Sequence, residues 1–284
     1  MTGLHPFETR DGVVYCNHDG VELAGDLYLP EGAGPHPAIV AVHGGGWRLG
    51  ARNSFHHWGR YLAARGYAVF TISYRLAKKD KKTFPQAVHD VIAAVQYIRG
   101  EAASLRIDPN RIALYGASAG ANLSALAGLG TQSGHFMGGY PGDKHAKVDP
   151  RVKAVIGIYG VYDMVANWND FNRQTPGDNA TDIFLGATPM DDRKVYFDAS
   201  PVSYAVRANN KVSVFLTWGT EDDLVNVREQ SEAFMLALKQ AGFFVRSAVV
   251  QSAPHYWSGD PIDEPESFSG FLAPRLLRFL AEKL

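Results

Sequence analysis

Three short stretches of this chain hold the side chains from which a proton-relayed nucleophile can be assembled. The first is Gly116-Ala117-Ser118-Ala119-Gly120, set between the apolar run Arg111 to Tyr115 and the small-residue stretch Ala121 to Gly128. A strand, a tight turn and a helix in that order put the serine at a strained tip, and neighbouring chain can pass only if the flanking positions are small. That geometry lifts the Ser118 hydroxyl out of a sheet. It also aims the Ala119 N–H, at the helix start, where an oxyanion would form.

A hydroxyl is a weak nucleophile at neutral pH, so a histidine must take its proton and an acid must fix that histidine's tautomer. Three histidines follow Ser118, and His135 and His145 sit in the glycine-rich stretch just past the turn. Only His255 comes after a later strand pair, behind the β-like run Phe243 to Val250. The acid belongs at the end of the preceding strand, Val212 to Trp218, which runs into Gly219-Thr220-Glu221-Asp222-Asp223. Asp222 is favoured because Gly219 supplies the turn and a carboxylate three residues on folds back toward the base. Asp223 suits solvent or the cap of a helix near Val227, and Glu221 is the weakest of the three. Upstream, His43-Gly44-Gly45-Gly46-Trp47 follows the apolar run Ala38 to Val42, and its successive glycines let backbone amides turn inward as oxyanion donors.

Together these stretches resemble the α/β-hydrolase esterases and lipases, in the branch of hormone-sensitive-lipase-like enzymes, bacterial feruloyl or acetylxylan esterases and kynurenine formamidases. The resemblance runs from about Val13 to Leu284. It implies Ser118 as nucleophile, His255 as base, Asp222 as orienting acid, and the N–H groups of Gly45, Gly46 and Ala119 as oxyanion hole. Many hormone-sensitive-lipase relatives carry Asp before the serine and Gly-Gly after the alanine. Here Ala117 precedes Ser118 and Gly120-Ala121 follows Ala119, which draws the likeness toward the feruloyl-esterase and formamidase side. The expected activity is carboxylic-ester hydrolysis through an acyl-enzyme, without cofactor or metal, on an ester with a short, acetyl or aromatic acyl group. The rivals are an arylformamidase with the same catalytic residues and a catalytically silent α/β-hydrolase that binds a small molecule.

The elements that must position these groups alternate along the chain. Gly12 to Leu29 reads as an antiparallel hairpin around Asp19-Gly20. Then come strand Ala38 to Val42, helix Phe55 to Arg65, strand Ala68 to Tyr74 and helix Pro85 to Glu101, whose Val88, Val91, Ile92, Val95 and Ile98 share one face. Beyond the serine turn follow strand Val152 to Tyr159, strand Val212 to Trp218, helix Arg228 to Gly242, strand Phe244 to Val250 and helix Ser267 to Lys283. Apolar strands alternating with helices predict a mostly parallel central sheet covered on both faces, in one domain over residues 1–284. Two stretches, 131–149 and 161–204, break the alternation and are expected as caps or lids over the carboxyl edge, or else as scaffold connections.

Composition narrows the partners. The 284 residues are 46% hydrophobic with a formal net charge of −1, which suits a single deep core and argues against nucleic acid or an anionic membrane. Lys78-Lys79-Asp80-Lys81-Lys82 reads as a solvated loop, and Asp260 to Glu266 as an exposed one. The single cysteine, Cys16, has no thiol partner for a disulfide or metal site. Neither a leader-like start nor a run near 18 apolar residues is present, so a soluble, cytoplasmic monomer or homodimer is expected. His43 is read as structural, and the adjacent His56 and His57 point apart on a helix rather than pairing on a metal. Trp47, Tyr256 and Trp257 flank the oxyanion loop and the base, where they would stack on an aromatic or sugar substrate or pack in the core.

Overall fold

The computed structural model describes residues 4–284; Met1 to Gly3, where the stretch read for a leader begins, lie outside the described residues. The chain runs β1 (Phe7–His18), β2 (Val21–Pro30), β3 (His36–Val42), α1 (His56–Ala63), β4 (Ala68–Ile72), α2 (Gln86–Gly100), α3 (Ala102–Leu105), β5 (Ile107–Ala117) and α4 (Ala119–Gly130). It continues through β6 (Ala154–Ile158), α5 (Met164–Gln174), α6 (Ala180–Leu185), α7 (Arg193–Asp198), β7 (Ser213–Gly219), α8 (Ala233–Gln240), β8 (Val245–Val250) and α9 (Phe268–Lys283). Among the described residues, all eight strands form one sheet in the order β1-β2-β4-β3-β5-β6-β7-β8. β1 and β2 pair antiparallel, β2 pairs antiparallel with β4, and the rest are parallel. The β1–β2 turn falls on Asp19 and Gly20, both at positive φ, as a two-residue hairpin requires.

The central strands bury both faces, which is why they read as unbroken apolar runs. Along β3, Ala38, Val40 and Val42 enter a core shared with α2 and α4, while Ile39 and Ala41 enter a second core built on α1 and α9. Side chains alternate across a strand, so one apolar run feeds two cores. The parallel strands all end on one edge, and there the predicted catalytic residues lie. No helix among the described residues is long and apolar enough to cross a membrane.

The two irregular stretches part company. Residues 161–204 form α5, α6 and α7 over the carboxyl edge, and Asp163, Asn179 and Asp192 cap these helices with their own side chains. Residues 131–149 differ from the lid expectation: none of them lines the cavity at Ser118. They lie along α2 instead. Tyr140 donates to Asp90 at 2.7 Å, and Gln96 donates to the carbonyls of Ala146 (3.1 Å) and Val148 (2.8 Å). The stretch thus adds hydrogen bonds to α2, where Asp90 is also held by Arg75, rather than lining the cavity.

Candidate active site

Ser118 sits between β5 and α4 at φ 53°, ψ −121°, a strained conformation for a residue with a side chain. The flanking glycines are required by contact. A Cβ at Gly116 would lie 2.2 Å from the Gly120 carbonyl oxygen, and one at Gly120 would lie 2.1 Å from that of Val42. The turn is pinned by the Ser118 N–H, which donates to the Ile158 carbonyl at 2.9 Å.

His255 lies beyond β8 and Asp222 beyond β7. Their rings and oxygens line up with the serine. His255 Nε2 is 3.1 Å from Ser118 Oγ, and Nδ1 is 2.8 Å from Asp222 Oδ2. The His255 and Asp222 side chains are each 1% exposed, so their interaction is shielded from water. The other oxygen of Asp222 accepts the N–H groups of Leu224 (3.0 Å) and Val225 (2.8 Å), which fixes the carboxylate's orientation. Asp222 is thus the acid that the fold brings to the base, and Asp223 and Glu221 are not.

The base is held from several sides. Its ring packs between Tyr159 and Tyr256, with centroids at 4.4 Å from each. The loop that carries it is tied down through Ser258: its carbonyl accepts His57 Nε2–H (2.8 Å) and Trp58 Nε1–H (3.0 Å), and its hydroxyl bonds that of Tyr159. His57 is therefore committed to the loop. Burial pushes its pKa down, favouring the neutral ring.

The glycine loop after β3 presses against this turn: a Cβ on Gly44 would sit 3.2 Å from Ser118 Cβ. Gly45 and Gly46 have φ of +112° and +57°, and a Cβ on Gly45 would meet the Leu49 carbonyl at 2.3 Å. Their N–H groups donate to no other group among the described residues. Ala119, first in α4, has no carbonyl one turn earlier to accept its N–H. All three residues line the cavity above Ser118.

Trp47, at φ +61°, locks the loop. Its ring stacks on Phe184 at 4.7 Å, its Nε1–H donates to Asn122 Oδ1 at 3.3 Å, and its carbonyl accepts the Ala77 N–H at 2.9 Å. Asn122, fully buried one turn into α4, also donates through Nδ2 to the Ala199 carbonyl at 3.1 Å. One side chain therefore joins the nucleophile helix, the glycine loop and the segment over the edge. Nothing in the sequence pattern pointed to Asn122 or Tyr159; an amide in an otherwise apolar helix and an aromatic at a strand end were the available signals.

His43 stacks on Tyr74 at 4.4 Å, and its Nδ1–H donates to the Gly44 carbonyl at 2.7 Å. Burial lowers its pKa to about 4, so it stays neutral through the physiological range. A histidine that protonates more readily unfolded than folded makes stability fall as pH drops from the unfolded value near 6.5 toward 4. His43 alone contributes about 3 kcal/mol to that loss by pH 4. Thermal melts from pH 7 to 4 should fall steeply, and a His43→Gln variant should show a shallower slope; equal slopes would contradict this.

A cavity of about 330 Å³ opens above Ser118, lined by Gly45, Gly46, Trp47, Ala119, Val161 and Phe171 together with Arg48, Leu49, Asp178, Ala180, Leu224, Val225 and Tyr256. Of the three aromatic residues expected at the pocket, Trp47 forms a buried wall and Tyr256, 64% exposed, stands at the mouth. Trp257 is a correction. It is buried in the core beneath the sheet, edge-on to Tyr159 at 5.6 Å, and does not line the cavity. A larger and more open concavity of about 1060 Å³, between Asp163, Phe197 and Glu229, lies away from Ser118.

The fold and this constellation define an α/β-hydrolase. The chain belongs to the BD-FAE family, whose profile matches residues 25–238. It is 34% identical to Esterase LipC of Mycobacterium tuberculosis over 212 residues, 72% of this chain and 49% of that protein. It is 26% identical to an arylesterase of Saccharolobus solfataricus over 262 residues, 89% of this chain and 78% of that one. The chain spans about half the length of the first curated relatives it matches. Among solved structures, a truncated carbohydrate esterase from gut microbiota superposes with a TM-score of 0.78 at 22% identity, over 100% of this chain and 98% of that one. Thermogutta terrifontis esterase 2 gives 0.74 at 23% identity, over 98% and 94%. At these identities the likeness concerns the fold.

Proposed function

We propose that this protein is a serine carboxylic-ester hydrolase that acts through an acyl-enzyme on small to medium esters with short, acetyl or aromatic acyl groups. The observation that carries the proposal is the continuous relay Asp222–His255–Ser118, with contacts of 2.8 and 3.1 Å, at the floor of a small, mostly apolar cavity. Ser118 Oγ attacks the ester carbonyl carbon as His255 Nε2 takes its proton, and the carbonyl oxygen gathers charge beside the amides of Gly45, Gly46 and Ala119. The His255 proton then passes to the departing alkoxide oxygen. Water, deprotonated by the same nitrogen, attacks the acyl-serine, and the acid leaves with Ser118 restored. None of these steps needs a cofactor.

The relatives support this chemistry: LipC and the Saccharolobus protein are named esterases, and the Thermogutta esterase has been solved with propionate and with butyrate. The volume of about 330 Å³ suits such acyl groups. A formal net charge of −1 supplies no basic field of the kind that nucleic-acid binding needs.

A chain-length series of nitrophenyl esters, run beside methyl ferulate, an acetylated sugar and a formylated aniline, tests the proposal. Fast turnover of short esters with slow formanilide is expected. Preference for the formanilide would reassign the protein to amide cleavage, and no turnover of any of them would leave a binding protein. Asn122→Leu, which keeps the branched outline of the side chain but removes its hydrogen bonds to Trp47, Ala199 and Met164, should lower kcat by about ten- to a hundredfold through misplaced donors, with KM little changed. A loss confined to KM would place Asn122 outside donor positioning.

A further inference from the structure

The lining of the catalytic cavity contains one cation, Arg48, and one anion, Asp178; apart from Ser118, backbone amides and Tyr256, the rest is apolar. Arg48 follows the glycine loop directly, and Asp178 belongs to the segment over the edge. Arg48 Nη1 lies 3.2 Å from Asp178 Oδ1, and Lys79 Nζ lies 3.8 Å from the same oxygen. Two cations thus share one carboxylate. Lys79 comes from the Lys78-Lys79-Asp80-Lys81-Lys82 run, which is a tight turn closed by paired Lys78 and Lys81 backbone bonds of 3.0 and 2.9 Å. The turn is fastened to the oxyanion loop through the Ala77-to-Trp47 bond. A stretch that reads as a solvated loop therefore stands at the cavity's rim, carrying four lysines against Asp80.

The charges at this rim do not balance, and the pairing is exchangeable. Asp178 is 51% exposed and Arg48 31%, and half-exposed pairs of this kind contribute little net stability. An incoming carboxylate can take the planar fork of Arg48 with two parallel N–H···O bonds, a geometry that a point-charge ammonium does not offer. Asp178 is not stranded by the exchange, because Lys79 already stands beside it. Adjacent lysines add a positive field that draws anions toward the mouth.

We propose that Arg48 is a specificity-determining residue that receives an anionic group, a carboxylate in the first instance, carried by the ester substrate on its acyl or its alcohol side. Asp178 is the placeholder that this group displaces, and Lys79 retains Asp178 while it is displaced. The proposal rests on the ester-hydrolase function above and adds the charge of the substrate to it.

The test compares kcat/KM for a nitrophenyl hemisuccinate against nitrophenyl butyrate (anion on the acyl side), and for a carboxyphenyl butyrate against phenyl butyrate (anion on the alcohol side). The neutral ester is the internal reference for every variant, so a general loss of activity cancels from the ratio. One of the two anionic ratios should fall about tenfold or more in Arg48→Gln, and the side it falls on identifies the side of the anion. The same ratio should rise in Asp178→Asn, where nothing competes for the guanidinium, and should decline with added salt. Opposite signs from the two halves of one ion pair are not produced by a merely structural bridge. Both ratios unchanged in Arg48→Gln, or no rise in Asp178→Asn, overturns the proposal while leaving ester hydrolysis in place. Failure of the wild type on the neutral esters overturns the parent function and this proposal with it.

Discussion

Replacing Ser118 with alanine is expected to lower kcat by about six orders of magnitude with the fold intact. The Cβ that fills the bend remains, and the backbone bond to Ile158 at 2.9 Å does not involve the side chain. Among the described residues, the lost atom is the one in the cavity that both meets the base, at 3.1 Å, and can form the acyl bond. His255 would be left with Nε2 facing the cavity, where water can satisfy it. Two measurements decide it: steady-state hydrolysis of the best ester, and stoichiometric labelling by a fluorophosphonate, which should drop from one group per chain to none. Labelling that persists in the variant would move the nucleophile elsewhere.

Asp222→Asn carries the second largest expected effect, about four orders of magnitude in kcat. Size is conserved, and the amide oxygen can still accept the Leu224 and Val225 N–H groups that Oδ1 accepts now, at 3.0 and 2.8 Å. The atom facing His255 Nδ1 then becomes an N–H₂ donor in place of an acceptor at 2.8 Å. That inverts the imidazole tautomer, so Nε2 carries a hydrogen and cannot take one from Ser118. Neutralising Asp223 or Glu221 should leave rates within about threefold, since neither touches the base. A near-normal Asp222→Asn enzyme would end the assignment of the acid.

What was legible in the sequence was what local sterics and chain order force. Gly116 and Gly120 must be glycine because a Cβ at either would stand within 2.2 Å of a backbone atom, and the glycine loop must be open where Gly45 turns at φ +112°. The parallel sheet was legible because strands covered on both faces must be apolar throughout. Asn122, Tyr159 and Arg48 were hidden, since each acts through residues far along the chain: Trp47 and Ala199 for the first, Ser258 for the second, Asp178 for the third. Trp257 misled for a related reason. Tyr256 takes φ +65°, so the two neighbours point to opposite sides, one to the mouth and one into the core.

The order of strands places β8 at the margin of the sheet, where it is paired on one side only, with β7. The imidazole hangs from the end of that outermost ribbon, whereas the serine is rooted in β5, flanked by β3 and β6. Fraying begins at margins, where the fewest bonds must open. The base thus depends on a strand with a single pairing partner, and warming should cost catalysis no later than the interior strands β3, β5 and β6 part.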